Sequence, residues 1–247
     1  WRIIGGPRGS IVGLGACWCA AERVTPQPRF FDFDRIFPIS AIAATGFFLT
    51  MTSATYDVLG LGNAIFDVLV RTDETFLAAQ DMTKGSMALI DEARAKSIYD
   101  AMGPATTMSG GSAANTIVGV ASFGARAAYV GKVKNDEVGK LYSHDIRAAK
   151  VAFDTPAAAD GPATGCSYIL VTPDGERTMN TYLGAAQNLT PKDIDPTQIA
   201  ASRIIYLEGY LWDPQSAKEA FLKASEIAHG AGRKVALTLS DSFCVDR

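Results

Sequence analysis

Gly110-Gly111-Ser112-Ala113-Ala114-Asn115 stands between a short apolar segment and a run with helical periodicity, and its reading decides the fold. Two consecutive glycines let the backbone take positive φ and come close to another group. Ser112 is placed to cap the helix that follows, leaving backbone N–H groups free at its first turn. Asn115 falls one turn into that helix, on the side facing whatever the glycines approach. Upstream, Gly60-Leu61-Gly62-Asn63-Ala64-Ile65-Phe66-Asp67 carries a second polar set. There Asn63 and Asp67 interrupt an apolar run that otherwise reads as buried strand. Three short polar side chains beside a Gly-Gly turn suit a polyhydroxylated ligand such as a ribose.

Outward from these two stretches the chain alternates. Asp57–Leu61 and Ala64–Arg71 are rich in Val, Leu and Ile and read as strands joined by the Gly-x-Gly-Asn corner. Lys84–Ile90 is a shorter strand, and Asp91 caps a helix running to about Met102. Ser112–Gly124 is helical, with Ala113, Ile117, Val120, Ala121 and Gly124 on one face. A strand at Ala127–Val130 and a helix at Val138–Ala149 follow. This order predicts an α/β fold with a central, mostly parallel sheet flanked by helices.

The pattern then changes. Thr164–Val171 and Arg177–Tyr182 flank Thr172-Pro173-Asp174-Gly175-Glu176, whose Pro-Asp-Gly core is a turn signal. An antiparallel hairpin inserted in an α/β chain suits a lid or an oligomer contact. A strand at Ile204–Leu207, a helix over Pro214–Ala231 closed by Gly232, and a strand at Lys234–Leu239 complete the series.

With 23 Lys+Arg against 26 Asp+Glu and no run of like charge, no nucleic-acid or membrane partner is expected. Cys17, Cys19, Cys166 and Cys244 are too scattered for a disulfide framework, which points to a cytoplasmic, reducing setting. His144 and His229 sit in helix-like segments, and no metal site is expected from them. Gly60-x-Gly62 after a strand invites a dinucleotide reading, but the third glycine is missing and position 65 is Ile.

Residues 1–50 mix Gly, Pro, Arg and aromatics without a sustained period. The uncharged stretch from Ile36 to Met51 is shorter than the roughly 20 apolar residues a membrane span needs. Asp32 and Asp34 among the upstream arginines do not suit a secretory leader. The expectation is that Met51 is the natural start and that 1–50 is a non-native or disordered extension.

Taken in order, the motifs from about Thr52 to Arg247 resemble the ribokinase-like (PfkB) carbohydrate kinase family, closest to its adenosine-kinase branch. The resemblance is carried by Gly62-Asn63 with Asp67, by Gly110-Gly111-Ser112-x-x-Asn115, and by Gly131-Lys132-Val133-x-x-Asp136-x-x-Gly139. Gly175-Glu176-Arg177-Thr178, Leu183-Gly184-Ala185-Ala186 and Tyr206-Leu207-Glu208-Gly209-Tyr210 add to it. It implies ATP-dependent phosphorylation of a nucleoside or sugar hydroxyl, foremost adenosine to AMP, with ATP and Mg²⁺ as cofactors. It implies that Asn63, Asp67, Gly110, Gly111 and Asn115 hold the sugar, that Arg177 reaches the transferred phosphate, and that Tyr210 stacks on the base. For Arg177 an exposed hairpin position is the alternative, and for Tyr210 a core position. Asp136 and Gly139 shape a turn and a helix start, and Leu183–Ala186 is packing.

The family's catalytic aspartate lies in an Asp-Thr-x-Gly-Ala-Gly-Asp turn that also cradles the phosphates, and no such turn occurs in this sequence. Residues 51–247 are therefore expected to be the N-terminal part of a kinase domain, with a β-lid at about 84–90 and 164–186. No catalytic residue is assigned, the base being expected beyond Arg247, and the chain alone is expected to be inactive. A sugar kinase of the same family and a non-catalytic nucleoside- or sugar-binding protein are the alternatives. Lid strands pair between subunits in some members, so a homodimer through the lid is one of the oligomeric states left open.

Overall fold

The computed structural model describes residues 54–246, so the expectations for residues 1–50 lie outside the described residues. Two sheets organise them. The first runs β10 (Lys234–Thr238), β9 (Ser202–Glu208), β1 (Tyr56–Leu61), β5 (Ala127–Val130), β6 (Val151–Ala152), with every pairing parallel. Parallel strands covered on both faces read as nearly unbroken apolar runs. That is the character of Val58–Leu61, Ala127–Val130 and Ile204–Leu207, which are alternately directed to two cores.

On one face α3 (Ser112–Ser122) and α4 (Glu137–Ala148) cover the sheet, with Ile117, Tyr129, Tyr142, Ile146 and Phe153 fully buried. On the other face α6 (Gln215–Gly230) sets Ala217, Ala220, Phe221, Ala224 and Ala228 against Leu59, Leu61, Val130, Ile205 and Leu207. Gly60 is what lets α3 lie so close to β1. A Cβ there would stand 2.5 Å from Ile117 Cγ1.

The second sheet is mixed, in the order β3 (Met87–Leu89), β8 (Arg177–Tyr182), β7 (Gly165–Val171), β2 (Ile65–Arg71), β4 (Thr106–Gly110). The β7–β8 hairpin is antiparallel, as its Pro-Asp-Gly turn predicts, while β2 pairs parallel to β7 and β3 parallel to β8. Its outer face carries Phe66, Val68, Cys166 and Tyr168 against α2 (Glu92–Ala101) and Val70 and Leu170 against α1 (Glu74–Ala79).

Three local expectations change. The Gly60–Asn63 corner does not join two strands of one sheet; it carries the chain from the parallel sheet into the second sheet, so β2 lies beside the hairpin. The segment before Gly110 is a largely exposed edge strand, β4, of mixed Thr, Met and Ser rather than a short apolar segment. Ser112 does not cap α3: Gly111 is the N-cap residue, no side chain of the helix's own start caps it, and Ser112 is its first residue. By contrast Asp91 and Asp136 cap α2 and α4, accepting from Arg94 N at 2.7 Å and Gly139 N at 2.7 Å. Among the described residues no helix is long and apolar enough to cross a membrane.

Candidate functional site

A cavity of about 330 Å³ lies where the C-terminal ends of β1 and β9 meet the inner face of the second sheet. Strand ends of an open parallel sheet are where α/β folds place their ligands. Asn63, Asp67, Gly111, Asn115, Arg177 and Tyr210 all line it, so two polar stretches, a hairpin arginine and a distant tyrosine come together. Gly110 does not line it. It is packed beside Asp67, and a Cβ on Gly110 would stand 2.2 Å from the Asp67 Oδ2. Gly110 thus makes room for a carboxylate rather than for a ligand.

Asp67 owes its aim to the strand period. Registers place Met108, Asp67, Ser167, Thr181 and Leu89 in one transverse row across β4, β2, β7, β8 and β3. The next row outward is Thr106, Leu69, Ile169, Met179 and Met87, which is almost wholly apolar. Burial pushes the Asp67 carboxyl up to about 7, against the pull of the Arg177 charge. A carboxylate that titrates there switches between donor and acceptor near neutrality. Beside it the Ser167 and Thr181 hydroxyls bond each other at 2.9 Å.

The floor is built by Glu208, at the end of β9 and 1 % exposed. Its Oε2 accepts from the Asn63 backbone N at 2.7 Å and from Asn63 Nδ2 at 3.0 Å, and its Oε1 accepts from Ala113 N at 2.8 Å. Burial raises the Glu208 carboxyl while these N–H donors draw it down, and burial prevails. The Tyr129 hydroxyl donates to the Asn63 carbonyl at 2.9 Å. Asn63 Oδ1 is left buried without a hydrogen-bond partner in the protein. Gly111, at φ 98°, has to be glycine for two reasons: the left-handed backbone, and the 2.4 Å at which its Cβ would meet the Asn63 carbonyl oxygen.

Tyr210 follows β9 on a short 3₁₀ turn. It is half-buried, its ring centroid 5.8 Å from that of Phe243, and its hydroxyl donates to Asp241 Oδ2 at 3.5 Å. Arg177 is an exposed hairpin arginine that also reaches the cavity wall. Asp136 and Gly139 shape a turn as expected, since Asp136 also accepts from Thr164 N at 2.9 Å and Thr164 Oγ1 at 2.7 Å. Leu183–Ala186 divides: Ala185 and Ala186 are fully buried, while Leu183 lines the cavity.

Sequence reasoning missed Ser167, Thr181 and any role for Glu208. A signal exists for Ser167, a hydroxyl inside an apolar strand, and for Glu208, a lone carboxylate closing a buried strand, whereas Thr181 stands in a polar strand that gives none. A wider, more open groove of about 590 Å³ along α4, lined by Lys134, Lys140, His144 and Arg147 among others, contains none of these residues.

The model of the pfkB family carbohydrate kinases matches residues 92–245. The chain belongs to that family. Among solved structures, it is 54% identical to the adenosine kinase from Sinorhizobium meliloti, with a TM-score of 0.73 over 78% of this chain and 59% of that one. It is 50% identical to a "probable sugar kinase protein" from Rhizobium etli CFN 42, again with a TM-score of 0.73 and the same coverage. A 5-dehydro-2-deoxygluconokinase of Shouchella clausii (strain KSM-K16) is 30% identical over 135 residues, which is 53% of this chain and 41% of that protein. The chain thus spans less than two thirds of the length of these relatives. The match to the two rhizobial structures confirms the α/β, ribokinase-like fold over the part that is spanned.

This PfkB-family chain inherits the expectation of ATP and Mg²⁺, and the described residues do not fit that pair. The first turn of α3, the helix end facing the cavity, already has a carboxylate on its Ala113 N–H. Among the described residues no three His, Cys, Asp or Glu side chains converge on one point.

Proposed function

We propose that the chain supplies the acceptor-binding part of an ATP-dependent kinase that phosphorylates a hydroxyl of a nucleoside or sugar, with adenosine as the leading substrate. One observation carries this. A single cavity is lined by Asp67 and by Asn63, whose Oδ1 is a buried acceptor with no hydrogen-bond partner, together with an apolar sheet row and Tyr210 and Phe243. A nucleoside has both halves of the complement: vicinal hydroxyls to donate and a flat base to bury. A plain sugar would leave the apolar row and the rings uncovered. The name of the 54%-identical structure supports adenosine, and that of the 30%-identical relative keeps a sugar acid or sugar as the second reading.

In this reading the ionised Asp67 accepts from two adjacent hydroxyls, a strong and directional contact. Asn63 Oδ1 takes a third donor, Asn115 faces the ring from α3, and the lid sheet keeps water from the transferred group. Arg177 is the side chain on this wall suited to a phosphate. The general base and the phosphate cradle are assigned to the part of the relatives that this chain does not span. Alone, the chain binds without turnover, which is also what a non-catalytic binding protein would do.

Titration calorimetry of the purified chain with adenosine, ribose and fructose 6-phosphate tests the reading. Heat from adenosine that Asp67→Ala abolishes is the expected result. Preference for either sugar would move the assignment to a sugar kinase, and no binding of any of the three would remove it.

A further inference from the structure

We propose that Glu208 is a positioning residue: it holds the Asn63 carboxamide by its Nδ2, so that the group Asn63 has left for a ligand is its buried, unpaired acceptor Oδ1. The inference deepens the reading above and rests on it for the identity of the ligand.

The geometry leaves little freedom. Both Glu208 oxygens are committed to backbone N–H groups that cannot reverse, Oε1 to Ala113 and Oε2 to Asn63. The same Oε2 then takes the Asn63 side-chain amide at 3.0 Å, which fixes the donor end of Asn63 inward. Gly62 clears the path, since a Cβ on it would stand 2.8 Å from that oxygen. The carboxylate sits at the first turn of α3, where a negative charge is favoured by the aligned peptide dipoles. It also supplies the cap that Gly111 cannot, because any side chain on Gly111 would strike the Asn63 carbonyl. One buried carboxylate from β9 therefore sets two walls at once: the start of α3, which carries Asn115, and the polarity of Asn63.

The consequence is selectivity. Asn63 Oδ1 is 4 %-exposed-residue chemistry at its most demanding: an acceptor shut from water with no protein donor. A ligand hydroxyl pairs it; a hydrogen in place of that hydroxyl leaves it unpaired at the full desolvation cost. A glutamine at 208 cannot reproduce the clamp. Its NH2 must face either the Ala113 N–H, which loses the tie to α3, or the two Asn63 donors, which frees Asn63 to turn its own amide outward.

The test uses the full chain. In wild type, adenosine is expected to bind about tenfold or more tighter than at least one of 2′-deoxyadenosine and 3′-deoxyadenosine, the size of one buried hydrogen bond. Glu208→Gln should weaken adenosine by about tenfold and shrink that discrimination, and in an Asn63→Ala background it should cost clearly less than it does in wild type, the remainder being its tie to α3. Unchanged adenosine binding by Glu208→Gln, or a full additive loss in the double variant, would overturn the proposal.

A second measurement needs neither ligand nor variant. In the wild-type ¹H–¹⁵N spectrum, one Asn63 side-chain amide proton should be shifted downfield and slow to exchange. A fast-exchanging, unshifted pair overturns the clamp even if Glu208→Gln fails to fold. A protected Asn63 amide with no binding of adenosine or sugars leaves the clamp standing and removes the functional reading instead.

Discussion

In the parallel sheet both faces are covered, and what it gives the site comes from the ends of its strands. In the mixed sheet helices pack on the outer face, and what it gives the site comes from side chains along its inner face. Asn63, Gly111 and Glu208 belong to the first region and are held by buried hydrogen bonds and close backbone contacts. Asp67, Ser167, Thr181 and Arg177 belong to the second, where alternate residues of each strand line the cavity. The lesson is a division by physical role. Changes at the first region should move stability and binding together, whereas changes at the second should move binding alone.

The hardest test of that division is Asp67→Ala. Binding of the preferred ligand should weaken by about a hundredfold or more, as expected for losing charge-assisted hydrogen bonds. Stability to urea should stay level or rise, because the variant removes a carboxylate that burial disfavours. A loss of stability comparable to the loss of binding would erase the difference between the two regions.

Next come two glycines with left-handed backbone. Gly111→Ala should cost about 3 kcal/mol or more, combining a disfavoured φ with a collision against the Asn63 carbonyl. Gly175→Ala, at φ 85° on the β7–β8 hairpin with open space around it, should cost only about 1 kcal/mol. Urea unfolding of both reads the contrast directly, and equal costs would break it.

The pH dependence sharpens the comparison further. Asp67 titrates at about 7 in the folded chain, above its unfolded value, so the native state holds the extra proton between roughly pH 4 and 7. Its contribution to stability therefore falls as pH rises through that window and is flat above it. Asp57 and Asp174, held below the usual carboxylate range by Arg126 and Lys84, act at lower pH. Ligand affinity should run the other way, rising as Asp67 ionises. Arg177→Met should shift the midpoint upward by removing the opposing charge, and Asp67→Asn should flatten both profiles. Calorimetry and urea midpoints at pH 5.5, 7 and 8.5 would follow the two slopes.

The smallest effect is expected at Ser167→Ala. Its hydroxyl shares one hydrogen bond with Thr181, so affinity should drop by about two- to tenfold with stability little changed.

Much of the fold was legible because its signals are local. Alternating strands and helices, the aspartates that cap α2 and α4, the apolar stripe of α6 and the Pro-Asp-Gly hairpin depend on neighbours within a turn or two. The polar stretches around Asn63, Asp67 and Asn115 were legible because short polar groups in apolar runs are costly without a purpose. What stayed hidden depends on residues far apart in the chain. The sequence spacing of Gly60–Asn63 does not reveal that β2 pairs with β7 about a hundred residues on. The cap of α3 was misplaced on Ser112 because the true one, Glu208, lies 95 residues from Ala113.

By itself, then, the sequence determined the α/β class, the family motifs and which polar residues had to be accounted for. Only the tertiary structure decided that Gly110 serves Asp67, that Ser167 and Thr181 share its row, and that Glu208 ties Asn63 to the start of α3. The reason is physical. Propensity, capping and periodicity act over a few residues, whereas the pairing of a buried donor with a buried acceptor is settled by which strands become neighbours, and that is a property of the whole chain.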